Sequence, residues 1–175
     1  DDQGRIVVLP PPLVEIPLPV IFDMLPWSPP AGQISLAFLE AAKALGTFVV
    51  VRQSDLNPGI EKYLSNIILF VDGDPAQLSA ELINKLAIIE IPDNEQTMAV
   101  QHRLKEKNPR LVIFIRSQLA PDNSERAVAL IQEGAEVLHL VADEYGLEKA
   151  ESPLFIKERM KQIHLHLVES GLRDQ

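Results

Sequence analysis

The stretch Ile67-Ile68-Leu69-Phe70-Val71-Asp72-Gly73-Asp74-Pro75 decides the fold class, because it joins a buried strand to the start of a helix. Five consecutive apolar residues are typical of a strand that is covered on both faces. Asp74-Pro75 has the pattern of an N-cap followed by proline at the first helical position, so we predict a helix to about Lys85. Ala87-Ile88-Ile89-Glu90-Ile91 is then the next strand. The elements of this unit therefore follow one another in the order strand, helix, strand.

The same alternation continues in both directions along the chain. Short apolar runs predict strands at residues 19–22, 47–51, 67–71, 87–91, 111–115 and 137–141. Between them we predict helical segments from Ser35 to Leu45, from Asn57 to Leu64, from Glu95 to Lys107 and from Ser124 to Gly134. Ser152-Pro153 predicts the start of a last helix that runs to about Ser170, with Gly171 as its stop.

Strands that alternate with helices indicate an α/β fold with a parallel sheet and right-handed crossovers. Two architectures satisfy the pattern: an incomplete (βα)₈ TIM-like barrel with about six of its eight units, or an open doubly wound sheet. No G-x-G-x-x-G turn follows a strand, which weakens the case for a dinucleotide-binding sheet. A full barrel takes about 250 residues, and the chain has 175.

Prolines divide the chain into two parts. Residues 1–18 form a proline-rich arm, which we expect to have at most the character of an edge strand and to dock on the rest of the fold. Residues 19–175 form a single βα-repeat domain. The acidic first residues lack an initiator methionine, so we expect a trimmed or excised chain start.

Composition excludes several classes of function. The formal net charge is −9 and the basic residues are scattered, which argues against nucleic acid or an anionic membrane as a partner. The chain has no cysteine, so disulfides, thiolate metal sites and cysteine nucleophiles are excluded. No apolar run reaches the ~20 residues that span a bilayer, and we expect a cytoplasmic protein.

The residues that follow the strands are the candidates for chemistry, because ligands of parallel α/β folds bind where the strands end. Four of these rim residues are candidates for cofactor binding: Arg52, Gln53, Arg116 and Asp143. We expect both arginines to pair with acidic neighbours rather than with a ligand. Aspartates at positions 72, 74, 93 and 143 could hold Mg²⁺, but capping of the following helices is the favoured interpretation. The sequence assigns no catalytic residue and no metal ligand set.

The histidines do not form a recognisable site. His139 lies inside an apolar strand, where a core or barrel-lining role is favoured over catalysis. His164 and His166 lack the i, i+4 spacing of a helical metal pair, and His102 is a lone residue on a predicted helix surface.

Three phrases of the chain resemble the FMN-binding synthase domain of glutamate synthase. They are residues 32–47, with Gly32-Gln33-Ile34-Ser35 and Ala41-Ala42-Lys43-Ala44-Leu45-Gly46-Thr47; residues 134–140; and residues 152–174. The resemblance implies a (βα)₈ barrel. It also implies a flavin-dependent oxidoreductase, acting on CH-NH₂ donors, that transfers an amide nitrogen reductively to 2-oxoglutarate in glutamate biosynthesis.

The chain departs from this family where the cofactor would bind. The family has glycine-rich phrases after the second, fourth and sixth strands, whereas this chain has Arg52-Gln53-Ser54-Asp55-Leu56, Pro92-Asp93-Asn94-Glu95-Gln96 and Ala142-Asp143-Glu144-Tyr145-Gly146. Side chains there obstruct the close approach of backbone amides to a flavin phosphate. We therefore expect a segment of a glutamate-synthase-like protein that does not bind FMN tightly by itself.

Two alternatives remain open on the sequence. One is a non-catalytic assembly or regulatory module that pairs through an exposed sheet edge with another copy or with the rest of a parent protein. The other is an α/β domain whose acidic rim binds a metal ion or a small ligand.

Overall fold

The computed structural model describes residues 12–25 and 33–172 of the chain. The first eleven residues of the predicted proline-rich arm lie outside these ranges, whereas its last residues, 12–18, lie within them.

The centre of the fold is one five-stranded parallel sheet. Its strands are β1 (Val49–Arg52), β2 (Ile67–Phe70), β3 (Ile88–Pro92), β4 (Val112–Gln118) and β5 (Val137–Val141), and their spatial order is the order of the chain. All four strand pairs are parallel. The predicted α/β class with alternating strands and helices is confirmed.

The first predicted strand, at residues 19–22, is reduced to a single parallel bridge beside β1. Phe22 faces Val49 in this bridge. The amide of Phe22 donates to the carbonyl of Phe48 at 2.9 Å, and the amide of Val50 donates to the carbonyl of Phe22 at 2.8 Å. Prolines 17 and 19 precede the bridge, and because proline lacks an N–H it limits the length of a strand here.

Within the described residues, five α-helices connect or follow the strands: α1 (Gln33–Leu45), α2 (Ala80–Lys85), α3 (Thr97–Lys107), α4 (Asn123–Gln132) and α5 (Ile156–Glu169). Three 3₁₀ segments lie at Gln53–Asp55, Pro58–Asn66 and Pro75–Gln77. Gly46 ends α1 with a φ of +69°, a left-handed conformation that glycine adopts without a side-chain penalty.

The predicted helix starts are partly wrong. Asp74 accepts a hydrogen bond from the amide of Ala76, but it caps only a 3₁₀ turn. The α-helix begins separately, after Ser79, whose hydroxyl accepts from the amide of Leu82 at 3.1 Å. Ser124 is not a cap, because it lies inside α4.

The helix predicted from Ser152-Pro153 begins only at Ile156. A backbone contact within the preceding loop holds it in place: Leu147 and Phe155 form an antiparallel bridge. The carboxylate of Glu148 also accepts from the amide of Leu154 at 3.1 Å. These bonds require an extended backbone up to Phe155, so the capping pattern at Ser152 is overridden.

The helices α2, α3 and α4 pack on one face of the sheet. Ile83, Leu104 and Leu130 of these helices join alternate strand residues in one buried cluster. The intervening strand residues point to the opposite face, where five of them form a second cluster with Phe48, which precedes β1: Val50, Ile68, Phe70, Ile88 and Val112. We call this second surface the helix-free face. Val14, Ile16, Ile21 and Met24 of the N-terminal segment pack against it.

Candidate functional site

The carboxyl ends of the central strands carry polar residues on the helix-free face. Glu90 of β3, Arg116 of β4 and His139 of β5 occupy positions that alternate with residues of the helix-covered core. Asp23 reaches the same place from the chain that follows the Phe22 bridge. We call Asp23, Glu90, Arg116 and His139 the four-residue cluster, and its position is where parallel α/β folds place their reactive groups.

Arg116 connects the two carboxylates of the cluster. Its two terminal nitrogens donate to the two oxygens of Asp23 at 2.8 Å each, the bidentate geometry that gives the strongest arginine–carboxylate pairs. One of the same nitrogens donates to Glu90 at 3.2 Å. The guanidinium carbon also lies 5.6 Å from the centre of the Phe70 ring, a cation–π contact.

Glu90 is the most deeply buried member, with a solvent exposure of 0%. One of its oxygens accepts from Arg116, and the other contacts Nδ1 of His139. Which of these two atoms donates depends on the tautomer of the imidazole. A buried charge is tolerated when it is paired and hydrogen-bonded on both oxygens, and Glu90 satisfies both conditions.

The electrostatics of the cluster favour the charged forms of Asp23 and Arg116. Burial by itself would raise the pKa of Asp23, but the hydrogen bonds and positive charge of Arg116 outweigh burial and lower the pKa. Burial by itself would lower the pKa of Arg116, whereas the hydrogen bond to Asp23 and the charge of Glu90 raise it. Arg116 is therefore a permanent ion whose terminal nitrogens are bound to protein carboxylates, as expected from the sequence.

The other three rim candidates do not join this cluster. Arg52 lies 3.6 Å from Asp72, and both side chains are largely exposed. The side-chain oxygen of Gln53 is buried and has no hydrogen-bond partner in the described part of the chain. Asp143 accepts from the amides of Tyr145 and Leu147 at 2.9 and 2.8 Å, so it closes its own turn after β5. The structure thus separates residues that the sequence placed on one rim.

Asp93, a candidate metal ligand on the sequence, is bound by protein groups instead. Arg126 of α4 donates to one of its oxygens at 2.6 and 3.0 Å, and the Ser117 hydroxyl donates to the other at 3.0 Å. The hydrogen bond to Asp93 raises the pKa of Arg126. This arrangement ties the loop after β3 to α4. Among the residues that the structure describes, no group of three or more potential ligands is placed to hold a metal ion.

A second arginine–carboxylate pair holds the loop between β5 and α5. Arg159 of α5 donates to Glu148 at 2.9 Å through Nη2, and Nη1 donates to the carbonyl of Pro121 at 3.2 Å. The hydrogen bond from Arg159 lowers the pKa of Glu148. Both residues are buried, and the pair joins three segments of the chain.

Two surface cavities lie away from the four-residue cluster. One, of about 380 Å³, is enclosed by the loops after β2 and β3, including Asp72, Asp74 and Asn94, and by Arg103 of α3. The other, of about 350 Å³, lies between the Pro58–Asn66 segment and α2. No member of the cluster lines either cavity, so the polar groups at the strand ends satisfy one another rather than facing one of these spaces.

Glu90 and Asp23 are the members of the cluster that the sequence analysis missed as site residues, and Glu90 is the more deeply buried of the two. A signal was present, because Glu90 is the one charged residue in the apolar run 87–91. A charge inside a buried strand requires a partner. Its partners are distant in sequence, Arg116 and His139, and only the register of β3, β4 and β5 brings them to it.

Comparisons with protein-family models, with curated proteins and with solved structures find no match for this chain. None of the described helices is long and apolar enough to cross a membrane.

Proposed function

We propose that this chain is a scaffold segment of a glutamate-synthase-like, flavin-dependent oxidoreductase, which supplies part of a βα-barrel wall and does not bind FMN tightly by itself. The observation that carries the proposal is the four-residue cluster: the polar groups at the strand ends bind each other. A wall whose rim is occupied by its own ion pairs contributes to folding and assembly rather than to chemistry.

The strand order supports the barrel lineage. In a doubly wound sheet the order reverses at a switch point, where the ligand crevice forms. Here the order from β1 to β5 follows the chain without reversal, as it does around a (βα)₈ barrel. The packing of α2, α3 and α4 in a single cluster on one face agrees with this arrangement. The helix-free face then corresponds to the inside of the barrel.

The hydrogen bonds in the loops that follow the strands support the absence of a tight flavin site. Phosphate binding at strand ends uses backbone amides that glycines leave accessible. The amides of Tyr145 and Leu147, after β5, are already bonded to the side chain of Asp143. After β3, the amide of Asn94 is bonded to the hydroxyl of Thr97 at 2.7 Å. These donors are therefore not free for a phosphate.

A titration of FMN with the purified chain tests the absence of a site. We expect the flavin fluorescence to stay constant at protein concentrations far above the dissociation constants of known flavoproteins for FMN. The melting temperature of the chain should stay unchanged when FMN is added. Saturable quenching at one flavin per chain would overturn the proposal. Asp143→Gly, which frees the two amides of its turn, is the matched variant: a gain of weak quenching in it alone would support the account of the rim.

A crystal structure tests the lineage. We expect the sheet from residue 22 to β5 to curve around the helix-free face and to superpose on consecutive βα units of a glutamate synthase barrel. A sheet that is twisted but open, with helices on both faces, would contradict the proposal.

The second candidate function, an assembly module, is favoured by a different observation, the location of exposed apolar side chains. All ten large apolar residues that are exposed in the described ranges lie within residues 13–45 or 145–168. The first segment contains Phe22, which pairs with β1, and the second follows β5. The third candidate, an acidic-rim metal site, gains no support from the described carboxylates, which cap turns or pair with arginines.

A further inference from the structure

The cavity of about 380 Å³ at the carboxyl ends of β2 and β3 has the size and the position of a small-molecule site. Ligand sites in proteins usually have volumes of about 300–1,000 Å³, and parallel α/β folds place them where the strands end. All of the residues that line this cavity lie within the described ranges. We call it the β2–β3 cavity.

The floor of the β2–β3 cavity is apolar. Val71, which follows β2, and Ile91 of β3 are buried members of the helix-covered core. Val100 of α3 also lines the cavity and packs against the same core. A surface of this kind accommodates a hydrocarbon chain, and the polar groups around it determine which chemical groups can bind at the ends of that chain.

One wall of the β2–β3 cavity carries a guanidinium group that has no acidic partner among the described residues. Arg103 of α3 is exposed, and its Nε donates to the carbonyl of Ala99 in the same helix at 3.3 Å. By contrast, Arg52, Arg116 and Arg126 each pair with a carboxylate, at 3.6, 2.8 and 2.6 Å. The terminal nitrogens of Arg103 are therefore available to a ligand, and the planar guanidinium suits a carboxylate.

The loop after β2 supplies the opposite charge. Asp74 uses one carboxylate oxygen to accept from the amide of Ala76 at 2.9 Å, and its other oxygen has no partner in the described ranges. Asp72 adds a second carboxylate, whose ion pair with Arg52 is exposed and 3.6 Å long. Within the described part of the chain, neither aspartate forms an ion pair with Arg103, although all three residues line one cavity. Opposite charges that share a cavity without pairing leave room for a ligand that carries both charges.

We infer that the β2–β3 cavity binds a small zwitterion in which an apolar chain separates an ammonium group from a carboxylate, as in an ω-amino acid. The ammonium group binds Asp72 and Asp74, and the carboxylate binds Arg103. The apolar chain lies on Val71 and Ile91. A ligand with a single charge leaves one of the two walls without a partner. This inference goes beyond the proposed scaffold role and does not depend on the glutamate-synthase lineage.

Titration of the full chain with δ-aminovalerate tests the inference, with amide NMR spectra as the readout. We expect saturable shifts of the amide signals of residues 71–74 and 94–103. Pentylamine and valerate each carry one of the two charges of δ-aminovalerate on a chain of similar length, and each should bind about tenfold more weakly. Equal affinity for the three compounds would overturn the inference, as would the absence of saturable binding of δ-aminovalerate.

Two variants test where the ligand binds. Asp74→Asn keeps an oxygen that can cap Ala76 but removes the charge, and Arg103→Met keeps an aliphatic stem but removes the guanidinium. Each should weaken the binding of δ-aminovalerate about tenfold. Asp74→Asn should leave the affinity for valerate unchanged, and Arg103→Met should leave the affinity for pentylamine unchanged, because each variant alters one wall of the cavity.

Arg110→Met is the matched control, because Arg110 is exposed and does not line the cavity. An affinity for δ-aminovalerate that neither cavity variant lowers, or that Arg110→Met lowers equally, would contradict the inference. If the melting temperature shows that Asp74→Asn disturbs the fold, Asp72→Asn replaces it. Tight binding of FMN would contradict the scaffold proposal without affecting any of these outcomes.

Discussion

At the scale of single residues, the ion pair of Glu90 and Arg116 on the helix-free face is the interaction whose removal should lower the stability of the fold most. Replacement of Arg116 by methionine leaves the buried Glu90 carboxylate with His139 as its remaining partner. Removal of one partner of a buried ion pair costs about 3–5 kcal/mol. We expect urea denaturation to show a loss of this size in Arg116→Met. Arg52→Met, which removes an exposed pair with a 3.6 Å contact, should cost less than about 1 kcal/mol.

The coupling between Glu90 and Arg116 can be measured with a double mutant. Replacement of both residues by apolar ones removes the uncompensated charge, so Glu90→Leu with Arg116→Met should destabilise the fold less than the sum of the single losses. Equal and additive losses would mean that the two side chains act independently.

Asp23 links the stability of the fold to pH. Its pKa in the folded chain is lowered, because the Arg116 interaction outweighs burial, whereas an unfolded aspartate titrates at about 3.9. A group with a depressed folded pKa contributes stability that is present above the unfolded value and is lost as the pH falls through the folded value. We expect Asp23→Asn to be less stable than the wild type by about 1 kcal/mol at pH 7.

Unfolding free energies of the wild type and of Asp23→Asn, measured from pH 7 to pH 2, should converge in acid. The same comparison in the Arg116→Met background is the control, and the difference at pH 7 should be much smaller there because the cation that lowers the pKa is absent. A difference that persists unchanged at pH 2 would contradict the assignment.

At the scale of elements, Gly146 determines how the chain turns from β5 toward α5. Its φ is +77°, and a Cβ at this position would lie 2.6 Å from Cε2 of Phe155. Gly146→Ala therefore combines backbone strain with a steric clash. Gly134 has a φ of +97° and no heavy atom within 4 Å of its added Cβ, so Gly134→Ala carries the strain alone, about 1–2 kcal/mol. We expect thermal unfolding to show a larger loss of stability for Gly146→Ala than for Gly134→Ala. Equal losses of stability would exclude the clash with Phe155.

Helix starts are the elements that the sequence predicted least well. A capping pattern is a local preference of about 1 kcal/mol, and longer-range bonds can exceed it. At Ser152-Pro153 the bonds of residues 147–155 hold the backbone extended. At Ser124 the helix starts one residue earlier, where Asn123 is buried and donates to the Ser117 hydroxyl at 3.3 Å. Helix ends were predicted better, because Gly46 and Gly171 have the positive φ that ends a helix and that glycine adopts without a side-chain penalty.

At the scale of the whole molecule, the N-terminal segment covers the helix-free face. Ile16 and Ile21 pack on this face, whereas Leu13 is 84% exposed. We expect the double variant Ile16→Ser with Ile21→Ser to release the segment from the helix-free face. Each substitution removes about 1 kcal/mol of the stabilisation that comes from apolar burial. Hydrogen exchange of the Val50 amide, which donates to Phe22, should accelerate, and binding of a hydrophobic dye should rise. Leu13→Ser is the control, and an equal response from it would contradict this role.

The sequence by itself determined the class of the fold and the positions of its strands. Apolar runs of four or more residues are long enough to identify buried strands without knowledge of their neighbours, and each such run from β1 to β5 forms a strand. The acidic residues after the strands also led to the expectation that Arg116 pairs with acidic neighbours, and its partners are Asp23 and Glu90.

Only the tertiary structure decided which acids those are and in what order the strands lie. Asp23 lies 93 positions from Arg116 along the chain, and Glu90 meets His139 through the register of three strands. Contacts of that range depend on how strands align, and no local pattern of residues specifies the alignment. The strand order from β1 to β5 arises in the same way, because it is a property of the assembled sheet rather than of any one of its strands.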